Sequence, residues 1–308
     1  MIKVILFLCI LANTIYANTQ NIKELQIAFQ KNVIEINVFR KRYQKYITAK
    51  CGDNLECIKS KINRLKSWDT VQNDSPLKYM FDKKKSIVKY DDTYWNQLLN
   101  KLKSKQIDLN STQFVSIIDL ENQFYILTLW DKDTEQFNYI GKDLISSGNM
   151  HRESEIKFGE DHYLKTPAGV FESQIGWRSD GKYSDDNITQ GYGVKNRYVF
   201  YFGKQDTIRY NTFDKEKNKI YDPDKWNLIT DKLDFAVHSH KSSKPMGEPN
   251  SHGCVRMSDE LNRFLDNNLV LHKNMFIEDK WLNKYTKSPD NPKNYKFAGK
   301  YLIVLDNI

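Results

Sequence analysis

Ser251-His252-Gly253-Cys254-Val255-Arg256-Met257 sets a thiol beside a histidine in a glycine-loosened turn. Thirteen residues before Ser251, the largely apolar run Leu233–Val237 ends in His238, Ser239 and His240. One cysteine and a separately supplied imidazole are the minimum equipment for thiol acyl transfer. A free thiol has a pKa of about 8.5, so its anion needs a neighbouring cation or aligned donors at neutral pH. An imidazole can supply the charge, as a thiolate–imidazolium pair, and then protonate a leaving amine. Strand alternation puts His238 and His240 on one face, so period alone admits either as the partner. The competing reading is an inert, buried Cys254 with histidines satisfied in a core. It suits a lone cysteine better than this density of reactive groups. A metal centre is not expected: Cys51 and Cys57 have no nearby histidines, and the spacing around Cys254 reproduces no ligand pair.

These groups need strands and a helix to hold them. From residue 111 onward the apolar pattern has period two. Phe114, Ser116 and Ile118 alternate with Val115 and Ile117, and a second run over Phe124–Leu129 follows the turn at Glu121-Asn122. Arg197–Gly203, Phe235–His240 and Asn274–Glu278 also read as strands. One helix intrudes, with Ser258 as its cap, Asp259 and Glu260 in its first turn, and Leu261, Phe264, Leu265 and Leu269 facing inward. It follows the cysteine and would anchor that loop. Pro289, Asn291 and Pro292 mark a loop in the final segment, with Tyr301–Leu305 returning as a last strand. Before residue 110 the spacing is helical: Ile22, Leu25, Phe29, Val33, Ile36, Tyr43 and Ile47 form one stripe. Ile58, Ile62, Leu65 and Trp68 form another, and Trp95, Leu98, Leu99 and Leu102 a third. The expected class is α+β: a helical module over 18–110, a mainly β catalytic domain over 111–279, and an extension over 280–308.

Lys3 and the apolar run Val4–Leu11, followed by small or polar residues to Ala17, read as a secretory signal peptide over 1–17. The run is shorter than the ~20 residues of a spanning helix, so an exported protein with no remaining transmembrane segment is expected. Cys51 and Cys57 frame a polar turn that could close a disulfide loop in an oxidising compartment, which leaves Cys254 as the odd thiol. Pairings that consume Cys254 would silence it. With 40 % apolar residues and only 13 glycines and 7 prolines among 308, the composition argues against disorder. The net charge of +8 suits an anionic wall polymer or membrane surface, whereas nucleic acid is a poor fit for an exported chain.

The stretch VHSHKSSKPMGEPNSHGCVRM resembles the signature of the YkuD-type L,D-transpeptidases. Val115–Trp130 resembles the family's opening hairpin, Tyr139–Gly148 its next strand, and Thr166–Phe171 its TP-x-G-x-F element. The resemblance covers roughly residues 112 to 279. It implies Cys254 as nucleophile, His238 as general base and then acid, and Ser239 orienting the imidazole. His252, Gly253 and the Cys254 amide become oxyanion-hole candidates, and His240 lies at the site edge. Arg256 would bind a substrate carboxylate or tie down the loop, and Trp177 and Tyr192 would line a donor groove or pack as a lid. The implied partners are peptidoglycan stem peptides in the periplasm, with no cofactor. Cys254 would capture a tetrapeptide stem as a thioester and expel its terminal D-amino acid. The acceptor stays open between a second stem's amine, an outer-membrane lipoprotein lysine, and water, the last giving an L,D-carboxypeptidase. The fragment CGDNLECIKSKINRLK resembles exported lysozyme-inhibitor modules of the LprI kind. A non-catalytic wall-binding or inhibitor protein is therefore the reading from another class.

Overall fold

The computed structural model describes residues 21–33, 53–56, 100, 107, 109–151, 158–159, 163–182, 191–240, 246–277 and 295–306. The signal segment, Cys51, Cys57 and the helical stripes after Val33 lie outside them.

Strands β1 (Gln113–Asp119), β2 (Phe124–Asp131) and β3 (Gln136–Ser146) form an antiparallel meander. Their alternation divides cleanly between two faces. Phe114, Ile118, Tyr125, Leu127 and Leu129 enter one core, while Val115, Ile117, Phe124, Ile126 and Trp130 enter another on the reverse side. Helix α1, helical over residues 21–33, covers the first face with Leu25, Phe29 and Val33. Burying side chains of this size contributes about 1.5–3 kcal/mol each. Phe29 stacks edge-on against Phe264 at 5.1 Å. It also fills the space over Gly141, where a Cβ would lie 2.5 Å from its ring. The described part of the first helical stripe, Ile22 to Val33, and the β region therefore share one core.

β4 (Gly169–Glu172) and β5 (Ile175–Arg178) are short, whereas β6 (Tyr198–Asn211) and β7 (Asn227–Ser239) form a long hairpin arm. β8 (Val255–Met257) bridges the two halves, antiparallel to β3 and parallel to β7. The nine-stranded order is β4-β9-β1-β2-β3-β8-β7-β6-β5. Strand β9 (Tyr301–Leu305) is the last strand expected from the sequence. It lies inside the sheet, parallel to β1 and antiparallel to β4. Five consecutive apolar side chains with both faces covered account for that placement.

Helix α2 (Asp259–Asn267) starts where sequence places it. Ser258 Oγ accepts from the Leu261 amide at 3.1 Å and donates to Asp143 Oδ2 at 2.6 Å, so one hydroxyl caps the helix and ties it to β3. Asn262 bonds both backbone groups of Tyr198, fixing β6 to the helix. The run expected as a strand at 274–278 is instead the short helix α3 (Lys273–Ile277). Over so few residues an apolar run does not separate the two periods; here Lys273 N–H bonds Gly299 O and Met275 N–H turns back to His272 O.

Candidate active site

β8 is only three residues long, and Cys254 sits at its entry. The parallel register sets His238 opposite Arg256 and Val237 opposite Val255, so Ala236 faces Cys254. The ladder groups of β7 that β8 does not reach are taken up by sulfur. Sγ lies 3.4 Å from the Asp234 carbonyl, and the Ala236 amide donates to it. His238 is two residues further along β7, a step of about 7 Å along the strand, on the strand beside the one that Cys254 leads into.

His238 is buried, with Nδ1 2.9 Å from the Ser239 carbonyl. A carbonyl only accepts, so Nδ1 carries the hydrogen and Nε2 keeps the basic lone pair. Gly193, at φ +84, makes this contact possible: a Cβ there would fall 1.7 Å from Ser239 O and 3.0 Å from His238 Nδ1. Ser239 is buried, and its hydroxyl accepts from the Val194 amide at 3.3 Å, closing the same loop onto β7.

The cysteine loop is fastened from three directions. Ser251 Oγ bonds the Cys254 carbonyl and accepts from the Gly253 amide at 3.1 Å. Thr166 Oγ1 donates to Gly253 O at 2.6 Å while accepting from the Gly148 amide at 2.8 Å. Gly253 itself adopts φ +134, a backbone state that side chains rarely take. Its amide is bonded to Ser251 Oγ within the loop, which shapes the turn. The His252 ring stands edge-on to Tyr163 at 4.2 Å. Arg256 Nη1 reaches Asn250 O at 3.3 Å, a loop-fastening contact. His240 is half-buried, its amide bonded to Met257 O at 3.0 Å.

Burial pushes the Cys254 thiol up to about 11; the Ala236 amide and the Arg256 charge oppose that rise and the Asp234 charge adds to it. Burial lowers His238 to about 4, with the Ser239 carbonyl opposing and the Arg256 charge assisting. Both shifts favour the uncharged forms, so the resting pair is thiol and neutral imidazole. The expected standing thiolate–imidazolium pair is disfavoured at rest because burial is the largest influence on each group.

Trp177 and Tyr192 meet at 5.1 Å, and Tyr192 presents its edge to the His238 ring at 5.9 Å. Tyr201, absent from the sequence reading, joins this wall 5.7 Å from Trp177 and donates to Asp234 Oδ1 at 2.9 Å. Gly193, Tyr201 and Asp234 are neighbours to which sequence reasoning gave no role, and Thr166 entered only as the start of the TP-x-G-x-F element. Asp234 carried a signal, as the one charge inside Leu233–Val237; the others needed the register. Among the described residues no group of three potential metal ligands occurs, and no helix is long and apolar enough to cross a membrane.

Among solved structures, an L,D-transpeptidase from Mycobacterium smegmatis is similar at 12 % identity, covering 63 % of this chain and 59 % of that one, with a TM-score of 0.28. Bd1075 from Bdellovibrio bacteriovorus is similar at 20 % identity, with 64 % and 49 % coverage and a TM-score of 0.27. The helical cell shape determining protein Pgp2 from Campylobacter jejuni gives 14 %, 68 %, 56 % and 0.28. The chain thus spans about half to three-fifths of these structures' lengths. No curated protein sequence matches it. The model of the YkuD L,D-transpeptidase catalytic domain matches residues 113–273, more than half of the chain, from β1 through the cysteine loop to the start of α3. The chain belongs to the YkuD L,D-transpeptidase family.

Proposed function

We propose that the protein is a cysteine-dependent peptidoglycan L,D-transpeptidase acting outside the cytoplasm. The observation that carries this reading is the placement of Cys254 Sγ against the open ladder groups of β7, two residues from an imidazole whose Nδ1 is fixed by a carbonyl. That fixation aims the chemistry at Nε2. As Sγ attacks the carbonyl before the terminal D-residue of a tetrapeptide stem, Nε2 takes the thiol proton. The proton then passes to the departing amine, the C–N bond breaks, and the stem remains as a thioester. An acceptor amine attacks next, and its proton returns through Nε2 to sulfur. Starting from uncharged partners, this route develops charge only along the reaction coordinate, where the His252 and Cys254 amides would serve the oxyanion. Trp177 and Tyr192 would flank the donor stem. No metal or organic cofactor enters the scheme.

Purified protein incubated with disaccharide tetrapeptide tests this by mass spectrometry. Loss of the D-residue, a stem-sized mass on Cys254 and cross-linked dimer are expected. Tripeptide without dimer would make water the acceptor and the protein an L,D-carboxypeptidase. A stem that is never processed would leave the wall-binding reading in its place.

A further inference from the structure

The thiol lies between two opposite charges on one strand axis. Arg256 is two residues beyond Cys254, across from His238. Asp234 is two residues before Ala236, with its own carbonyl against Sγ. At about 3.3 Å of rise per residue, each lies roughly 7 Å along the strands from the backbone level of Cys254 and Ala236, in opposite directions, with the sulfur leaning toward Asp234. Asp234 is exposed and its carboxylate is held by the Tyr201 hydroxyl at 2.9 Å. Among the described residues no Lys or Arg forms an ion pair with it, and Lys204, its Cα partner across the β6–β7 ladder, is no exception. Its charge reaches the site: it lifts Tyr192 and Tyr201 as well as Cys254, in each case behind burial as the main cause.

A stem's terminal carboxylate is repelled from such a position and belongs toward Arg256. A cationic amine is attracted to it. We propose that the Asp234 carboxylate, braced by Tyr201, selects the acceptor: it concentrates an ammonium-bearing stem beside the thioester and so favours transfer over hydrolysis. The inference rests on the thioester reading above. The ammonium releases one proton to water, and the neutral nitrogen forms the new C–N bond as the C–S bond breaks. One of the two protons left on that nitrogen passes by His238 Nε2 to the sulfur, which leaves an amide and the free thiol.

Amine and water compete for the same thioester, so the ratio of cross-linked to hydrolysed product is independent of how fast that thioester formed. With a stem peptide bearing a side-chain amine as acceptor, Asp234→Asn should lower this ratio roughly fivefold, the scale of an exposed ion pair. Asp234→Glu should restore most of it, and Tyr201→Phe should lower it less. Raising the salt should erode the wild-type ratio and leave that of Asp234→Asn flat. Hydroxylamine, uncharged at pH 7, should show no dependence on residue 234. An unchanged ratio with the stem acceptor, or an equal fall with hydroxylamine, overturns the assignment while a thioester mass on Cys254 still stands. Absence of any thioester in the wild type overturns the enzyme reading, and this one with it.

Discussion

His238 and His272 are both withdrawn from water, at 4 % and 0 % exposure, yet their surroundings differ in kind. The His272 ring lies 4.6 Å from Tyr198 and 5.5 Å from Phe200, with Nε2 3.5 Å from Asp266 Oδ1. Asp266 is gripped in turn by both terminal nitrogens of Arg178. His238 has only a carbonyl on Nδ1 and the edge of Tyr192 on its ring. Burial lowers both imidazoles. A carboxylate and two aromatic rings enclose His272, beside the Arg178–Asp266 pair that holds β5 to α2. His238 is oriented through Nδ1, which leaves Nε2 as its basic position. Burial alone therefore does not mark a catalytic histidine; what touches each nitrogen does.

Substitutions can break that contrast. Cys254→Ala should abolish both the thioester mass and turnover, and should prevent a carbapenem from adding its mass to the protein. His238→Ala should slow acylation by about 10²–10⁴, the usual contribution of a positioned acid–base group. Gly193→Ala drives a methyl into the Ser239 carbonyl and should cost acylation up to about 10², since small displacements of a fixed geometry are that expensive. His272→Gln should lower unfolding stability by about 1–3 kcal/mol, the penalty for disturbing a buried polar partner. Acylation in this variant should persist. An equal loss of acylation in His272→Gln and His238→Ala would erase the distinction.

Acidity sharpens it. His238 falls from 6.5 unfolded to about 4 folded, so the unfolded chain binds the extra proton between those values. Its contribution to stability is present above pH 6.5 and is lost as pH falls toward 4, which denaturant titrations at stepped pH would register. At neutral pH, the ultraviolet absorbance of wild type minus Cys254→Ala should contain no thiolate band. A thiolate band at pH 7 would restore the ion pair as the resting state.

The thiol turn, the strand ending in histidine and the helix behind them were legible because each is local, the helix through its Ser258 cap. The meander was legible because period two is strict over Phe114–Leu129. What escaped is non-local. Nothing near Thr166 announces that its hydroxyl clasps Gly253, 87 residues away. Gly193 gains meaning only once Ser239 is folded against it. Tyr201 faces Asp234 through a register that includes the irregularity between Tyr201 and Lys204. The ionisation state escaped for a further reason, since spacing shows which groups meet but not how dry they become.

β4 pairs with β9, and Thr166 stands just ahead of β4. The grip on the cysteine loop is therefore moored to a strand that a ribosome adds after that loop. Parallel pairing of Val115 with Tyr301 must wait for almost two hundred intervening residues to be made. A nascent chain that already displays the SHGC block still lacks this mooring until β9 returns. Chains interrupted before Tyr301 would carry the SHGC loop without the strand that holds β4 beside its Thr166 clasp.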